Sequence, residues 1–120
     1  DHLTFVLHNQ ELVIPEIVIE KEKNLPTQFS KEELWLDASK INGSLFLRPW
    51  EIGDRIHPIG IQGSKLISDV LSDAKVPNSE REGQLVLCDA ENILACLDLC
   101  VSRKAIANAQ SEEILKITFK

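Results

Sequence analysis

The chain has 120 residues, 43% of them hydrophobic and 27% charged, with a net charge of −6 and three cysteines. This composition excludes a disordered tail and suits one domain, with a Val, Ile and Leu core that needs no disulfide staples. No apolar run reaches the length of a membrane-spanning helix, because Asp98 interrupts Ile93–Val101 and Pro15 and Glu16 interrupt Leu12–Ile19; nor does a basic stretch leading into an apolar one mark a secretory signal.

Leu3, Phe5 and Leu7 alternate with Thr4, Val6 and His8, the period of a strand. After a turn at Asn9–Gln10 a second run extends from Leu12 to Ile19, and Pro15 within it predicts an edge strand or a bulge. Residues 20–32 are charged and polar, contain Pro26 and read as a loop. A strand begins at Leu34–Trp35–Leu36, and Asn42–Gly43 predicts a turn into a strand over Ser44–Arg48. Pro49–Asp54 is a connection and Arg55–Ile59 a short strand. Leu66, Ile67, Val70, Leu71 and Ala74 share one face at helical spacing, which predicts the principal helix over about 64–76, capped by Ser64 and ended by Pro77. Asn78–Glu82 suits one further helical turn. Leu85–Cys88, Asp89–Asn92 and Ile93–Val101 read as a hairpin, and Ile114–Phe119 as the last strand. The sum is a β-rich α+β fold of seven to eight strands and one principal helix, in a single domain over residues 1–120.

A net negative charge speaks against nucleic acid unless cations are segregated. Residues 1–37 carry 3 basic and 8 acidic side chains, residues 38–81 carry 6 and 5, and residues 82–120 carry 4 and 6. Only the middle third is not acidic, and the candidate chemistry lies there.

Gly60-Ile61-Gln62-Gly63-Ser64-Lys65 lacks the spacing of a nucleotide phosphate loop, which needs four residues between its glycines and a lysine before the hydroxyl residue. A GxxG clamp needs a helix before it, and none is predicted there. What remains is the predicted helix N-terminus at Gly63–Ser64 with Lys65 beside it: either a seat for one RNA phosphate or a plain N-cap. Arg48 and Arg55 flank the Pro49–Asp54 connection. They read either as contacts to phosphate or 2′-hydroxyl on an RNA stem or as internal ion pairs with Asp54 or Glu51. Lys75 and Arg81 close the helix and the turn after it, where solvated surface is the plain reading, and Arg103-Lys104 forms a small basic spot.

His57 reads as a hydrogen-bonded structural residue rather than a ligand. Trp35 and Trp50 can stack on bases, but both are expected to pack, with Trp50 the more exposed. Cys88, Cys96 and Cys100 lack a CxxC spacing and read as reduced thiols packed as small hydrophobes, which points to a reducing compartment, the cytoplasm. Asp69 and Asp73 lack a third metal ligand, and no nucleophile–base pair emerges.

The segment Leu47–Pro77 contains Leu47-Arg48-Pro49, Gly53-Asp54-Arg55, Pro58 with Gly60, Gly63-Ser64-Lys65, Ser68-Asp69 and Asp73-Ala74-Lys75-Val76-Pro77. Leu36-Asp37-Ala38 precedes it, and Glu80-Arg81 and Val86-Leu87-Cys88-Asp89 follow. In this order these elements resemble the C-terminal domain of tRNA(Ile)-lysidine synthases, most tightly over residues 33–90. The resemblance implies a β-sandwich-like core with helical cover, related to a module of the phenylalanyl-tRNA synthetase β-chain. It implies a parent protein that is an ATP-dependent carbon–nitrogen ligase, attaching lysine to the wobble cytidine of an isoleucine tRNA. ATP and Mg would belong to an N-terminal catalytic domain with a Ser-Gly-Gly-x-Asp-Ser loop. This sequence has no such loop, so the domain by itself is expected to hold no cofactor and to be non-catalytic.

The partners so implied are tRNA(Ile), met on its acceptor-stem side, and the N-terminal catalytic domain, with a homodimer also open and no membrane. The candidate RNA-contact residues are Arg48, Arg55, Gly63, Ser64, Lys65, Lys75 and Arg81. The alternative function is a structural or dimerisation module that braces the catalytic domain through protein contacts.

Overall fold

A computed structural model describes residues 3–5, 16–30 and 32–119, with only the backbone described for 3–5. The expected turn at Asn9–Gln10, the first half of the Leu12–Ile19 run and the bulge or edge at Pro15 lie outside the described residues. The described strands are β1 (Leu3–Phe5), β2 (Ile17–Glu22), β3 (Glu33–Asp37), β4 (Leu45–Pro49), β5 (Arg55–Ile56), β6 (Lys65–Leu66), β7 (Leu85–Cys88), β8 (Ile93–Cys96), β9 (Cys100–Val101) and β10 (Ile114–Phe119). Two helices, α1 (Ile67–Asp73) and α2 (Asn78–Arg81), fall between β6 and β7.

The strands form two sheets. The larger has the order β1-β4-β7-β8-β5-β6, with β9 also paired to β8; the smaller has the order β2-β10-β3. Successive side chains of a central strand point to opposite layers. In β7, Leu85 and Leu87 face the core between the sheets, with Leu34 and Leu36 of β3, Leu45 and Leu47 of β4, and Ile117 of β10. Val86 and Cys88 face the other way, into a second core with Ile56, Ile67, Val70 and Leu71. The order of layers is therefore small sheet, large sheet, helix α1. The uninterrupted apolar runs Leu85–Cys88 and Ile93–Cys96 are those of strands covered on both faces. Each fully buried Leu or Ile in these layers stabilises the fold by about 1.5–3 kcal/mol.

The expected fold class holds, and the differences from the expected elements have local causes. The predicted strand Ile93–Val101 is two strands, β8 and β9, because Leu97–Leu99 turns back and Leu99 N–H donates to the Cys96 carbonyl at 3.0 Å. The strand expected to end at Ile19 runs to Glu22, where Ile114 of β10 is its partner. The helix is shorter than 64–76. Lys65 and Leu66 pair with Ile56 and Arg55 as a hairpin, and the Ile67 N–H donates to the Asp54 carbonyl at 2.9 Å, so the backbone before residue 67 is committed to sheet. The N-cap position falls on Leu66, which has no side-chain acceptor, and Ser64 does not cap the helix.

At its other end α1 closes with a Schellman motif. The Val76 N–H donates to the Leu71 carbonyl and the Lys75 N–H to the Ser72 carbonyl, both at 3.0 Å, with Lys75 left-handed at φ 58. Val76 then packs on the core beneath the helix.

Candidate nucleic-acid interface

The β5–β6 hairpin and its loop bring Arg55, Gly63, Ser64 and Lys65 together, with Arg48 joined through Asp54, and side-chain pairing sorts them. Arg48 leaves β4 and meets Asp54 as a two-pronged pair, with Nη1 to Oδ2 at 2.8 Å and Nη2 to Oδ1 at 3.0 Å, both side chains largely buried. Glu51 adds a weaker contact at 3.4 Å, and the Glu51 N–H donates to Asp54 Oδ2 at 2.7 Å. Partial burial works against ionising Asp54, but the Arg48 hydrogen bonds and that N–H outweigh it and lower its pKa. Of the two readings open for Arg48, the internal ion pair is the one formed.

Arg55 is exposed and lies along the opposite strand of its hairpin. Its Nε donates to Ser64 Oγ at 2.6 Å and its Nη2 to the Ser64 carbonyl at 3.2 Å. This contact replaces the capping role expected of Ser64. Gly63 and Ser64 therefore do not open a helix, and the expected anion seat on free helical N–H groups is corrected: those residues lie before β6, three or more positions ahead of α1. Lys65 Nζ is hydrogen-bonded to the exposed Asp73 carboxylate, which raises the lysine pKa.

Lys75 and Arg81 stand at the far end of α1, away from the hairpin pairing. Arg81 Nε donates to the Val76 carbonyl at 2.9 Å and its Nη1 to Ser72 Oγ at 3.3 Å, while its own carbonyl accepts the Trp50 indole N–H at 2.7 Å. Trp35 is buried and Trp50 half-buried, so both indoles pack, with Trp50 the more exposed.

The residue that sequence reasoning undervalued is Arg103. Its Nη1 faces three carbonyl oxygens of the glycine loop, those of Pro58 at 3.1 Å and of Ile61 and Gly63 at 3.0 Å each. Its backbone N–H donates to the His57 carbonyl at 2.8 Å, and an isolated bridge joins Ser102 to Pro58. Gly63, at φ 78, gives the loop a left-handed residue that a side chain would strain. The one sequence clue was the Arg103-Lys104 pair; nothing local indicates a loop about 40 residues away.

Arg55, two residues before His57, and Arg103, whose backbone N–H reaches the His57 carbonyl, put positive charge near this imidazole. Burial first, then the charges of Lys104, Arg103 and Arg55, lower the His57 pKa below its usual 6.5. A hollow of about 340 Å³ lies beside His57, lined by Arg48 and Arg55 but also by Asp54, Asp89 and Glu91. Outside that hollow the exposed Arg55 and Lys104 side chains supply charge that can meet phosphate oxygens, and the loop held by Arg103 constrains the backbone next to Arg55. No group of three or more potential metal ligands occurs among the described residues. Cys88 and Cys96 are buried among apolar side chains, which pushes their pKa values up to about 11 and about 12. No described helix is long and apolar enough to cross a membrane.

Comparison with known proteins agrees with this architecture. Residues 45–117 match the family described as TilS substrate C-terminal domain. A tRNA(Ile)-lysidine synthase of Symbiobacterium thermophilum is 31% identical over 96 residues, covering 80% of this chain and 20% of that protein. A tRNA(Ile)-lysidine synthase of Bacteroides thetaiotaomicron is 38% identical over 87 residues, 69% of this chain and 20% of that protein. The chain thus spans about a fifth of the length of the curated relatives it matches. Among solved structures, the crystal structure of a TILS C-terminal domain superposes with a TM-score of 0.77 at 23% identity, over 87% of this chain and 82% of that one. An N-terminal fragment of the phenylalanyl-tRNA synthetase β-subunit from Pyrococcus horikoshii superposes with a TM-score of 0.62 at 13% identity, over 88% of this chain and 28% of that one.

Proposed function

The chain belongs to the TilS substrate C-terminal domain family, and from that premise we propose that it serves a tRNA(Ile)-lysidine synthase as its tRNA-binding domain. The ligation itself, with its ATP and Mg, belongs in this reading to the part of the protein outside these residues. The observation that carries the RNA role is that two arginines hold one exposed loop, Arg103 on the Pro58, Ile61 and Gly63 carbonyls and Arg55 on Ser64, in a chain whose net charge is −6. A protein that is acidic overall but concentrates cations at one loop directs a polyanion to that loop.

In this proposal Arg55 and Lys65 meet phosphates of a tRNA stem, recognised by shape rather than by base sequence. Gly63 and Ser64 supply the loop that presents them, and Arg48 holds the connection beneath through Asp54. Lys75 and Arg81 are the outlying contacts at the end of α1. A weak grip suffices: a second contact on one tRNA raises the effective concentration of the reacting base at a distant active site.

The test uses the full-length synthase with Arg55→Glu and Lys65→Glu. Lysidine formation and tRNA affinity are measured as a function of salt. The logarithmic salt slope is expected to shrink by about 1 for each phosphate that is no longer neutralised. An unchanged affinity with an unchanged slope would remove RNA contact from the role of this domain.

A further inference from the structure

A second surface has the opposite chemistry. A groove of about 480 Å³ opens between β3, the β8–β9 turn and the Pro58–Ile59 segment. Three of the five large apolar side chains exposed among the described residues line it: Phe29 at 64%, Ile59 at 55% and Leu99 at 36% exposure. Phe29 stands edge-on to the buried Trp35 with ring centroids 6.4 Å apart. Apolar groups gathered in this way mark a contact surface rather than scattered exposure.

Among the described residues the charged side chains that line the groove are Glu33 and Asp98, with neither Lys nor Arg. Glu33 is paired with Lys116 at 3.5 Å. Asp98 is exposed at the tip of its turn, left-handed at φ 67, and has no hydrogen bond or ion pair among the described residues.

We infer that this groove docks a protein segment in which an apolar side chain has a Lys or Arg neighbour, and that the segment comes from the part of the same synthase outside residues 1–120. The charge pattern selects the occupant. An RNA backbone would meet two carboxylates and, among the described residues, no lining cation. A twofold contact of this groove with the same groove of a second copy would bring acidic patches together, with no Lys or Arg among the described lining residues to offset them. A basic neighbour on the docked segment satisfies Asp98, and the relatives, of which this chain matches about 20%, have a large remainder to supply it. The inference depends on family membership and is independent of the RNA contacts on the β5–β6 hairpin.

The experiment places a photoreactive benzoylphenylalanine at Leu99 of the full-length synthase, illuminates it with and without tRNA, and maps the products by mass spectrometry. The expected product is a crosslink within one polypeptide, to an apolar segment beyond residues 1–120 that has an adjacent Lys or Arg. Asp98→Asn, which tolerates the left-handed backbone, is expected to lower its yield about three- to fivefold while tRNA affinity stays unchanged. A crosslink to tRNA, to a second copy or to residues 1–15, the absence of any crosslink, or a yield indifferent to Asp98→Asn would each overturn the inference.

Discussion

Arg48 and Asp54 close the Pro49–Gly53 connection as a two-pronged ion pair, 2.8 and 3.0 Å between partners. Because both side chains are largely buried, losing one strands the other. Arg48→Ala is expected to destabilise the domain by about 2–4 kcal/mol in urea unfolding, whereas the exposed Arg55→Ala changes stability by less than about 1 kcal/mol. The same pair sets an acid limit. Its lowered pKa means that Asp54 stabilises the fold above the ordinary carboxylate value of 3.8, and this contribution disappears as pH falls through the lower folded-state value. Asp54→Asn should flatten that part of the acid unfolding curve.

His57 gives binding and stability opposite dependences on pH. Its folded-state pKa is lowered by burial and by Lys104, Arg103 and Arg55, so the free domain becomes less stable as pH drops below 6.5. A bound phosphate would offset those cations and raise the same pKa, so binding takes up a proton. Affinity for tRNA should therefore rise between about pH 7.5 and about pH 6, by at most tenfold per pH unit, and His57→Asn should level the profile. Equilibrium binding across that range checks both statements.

Lys75 holds the left-handed position at which α1 terminates, where glycine would be unstrained. Lys75→Gly is expected to stabilise the domain by up to about 1 kcal/mol in thermal or urea unfolding. If Lys75 also meets RNA, the same variant loses tRNA affinity while gaining stability, a combination that separates the two roles.

Asp89 organises two turns at once. Its carboxylate accepts the backbone N–H groups of Glu91 at 2.9 Å and Asn92 at 2.7 Å, and that of Asn42 at 2.9 Å from 47 residues earlier. Gly43, in the facing turn, approaches Ala90 so closely that a Cβ would lie 3.1 Å from the alanine methyl. Asp89→Ala leaves these donors without their acceptor and is expected to cost about 2–4 kcal/mol of stability. Hydrogen exchange at Asn42 and Asn92 should quicken together, marking the removal of one shared acceptor.

The sequence made legible whatever repeats along the chain. Alternation revealed the longer strands, Asn42–Gly43 and Asp89–Asn92 marked turns, and Pro77 marked the end of the helical segment. Two-residue strands such as Lys65–Leu66 escape periodicity, because two residues hold no period, and the apolar face of the helix absorbed them. The site was legible as residues and not as contacts. Arg48 and Arg55 look alike in the sequence, yet one is turned inward to a carboxylate while the other lies exposed along Ser64. That choice depends on which partner the fold brings near. The same holds for Arg103, whose three carbonyl partners precede it by 40 to 45 residues.

The small sheet has its last-made strand in the middle: β10 lies between β2 and β3 and pairs with both. Neither outer strand has its sheet partner until residues 114–119 have been translated. At ribosomal rates of about 5–20 residues per second, β3 waits for roughly 4–15 s after its own synthesis. During that interval the inward faces of Leu34 and Leu36 lack Ile117, one of the side chains that later packs against them. The domain therefore passes through a period on the ribosome in which one of its two sheets cannot yet exist, and a nascent chain paused before Ile114 would present those faces to chaperones.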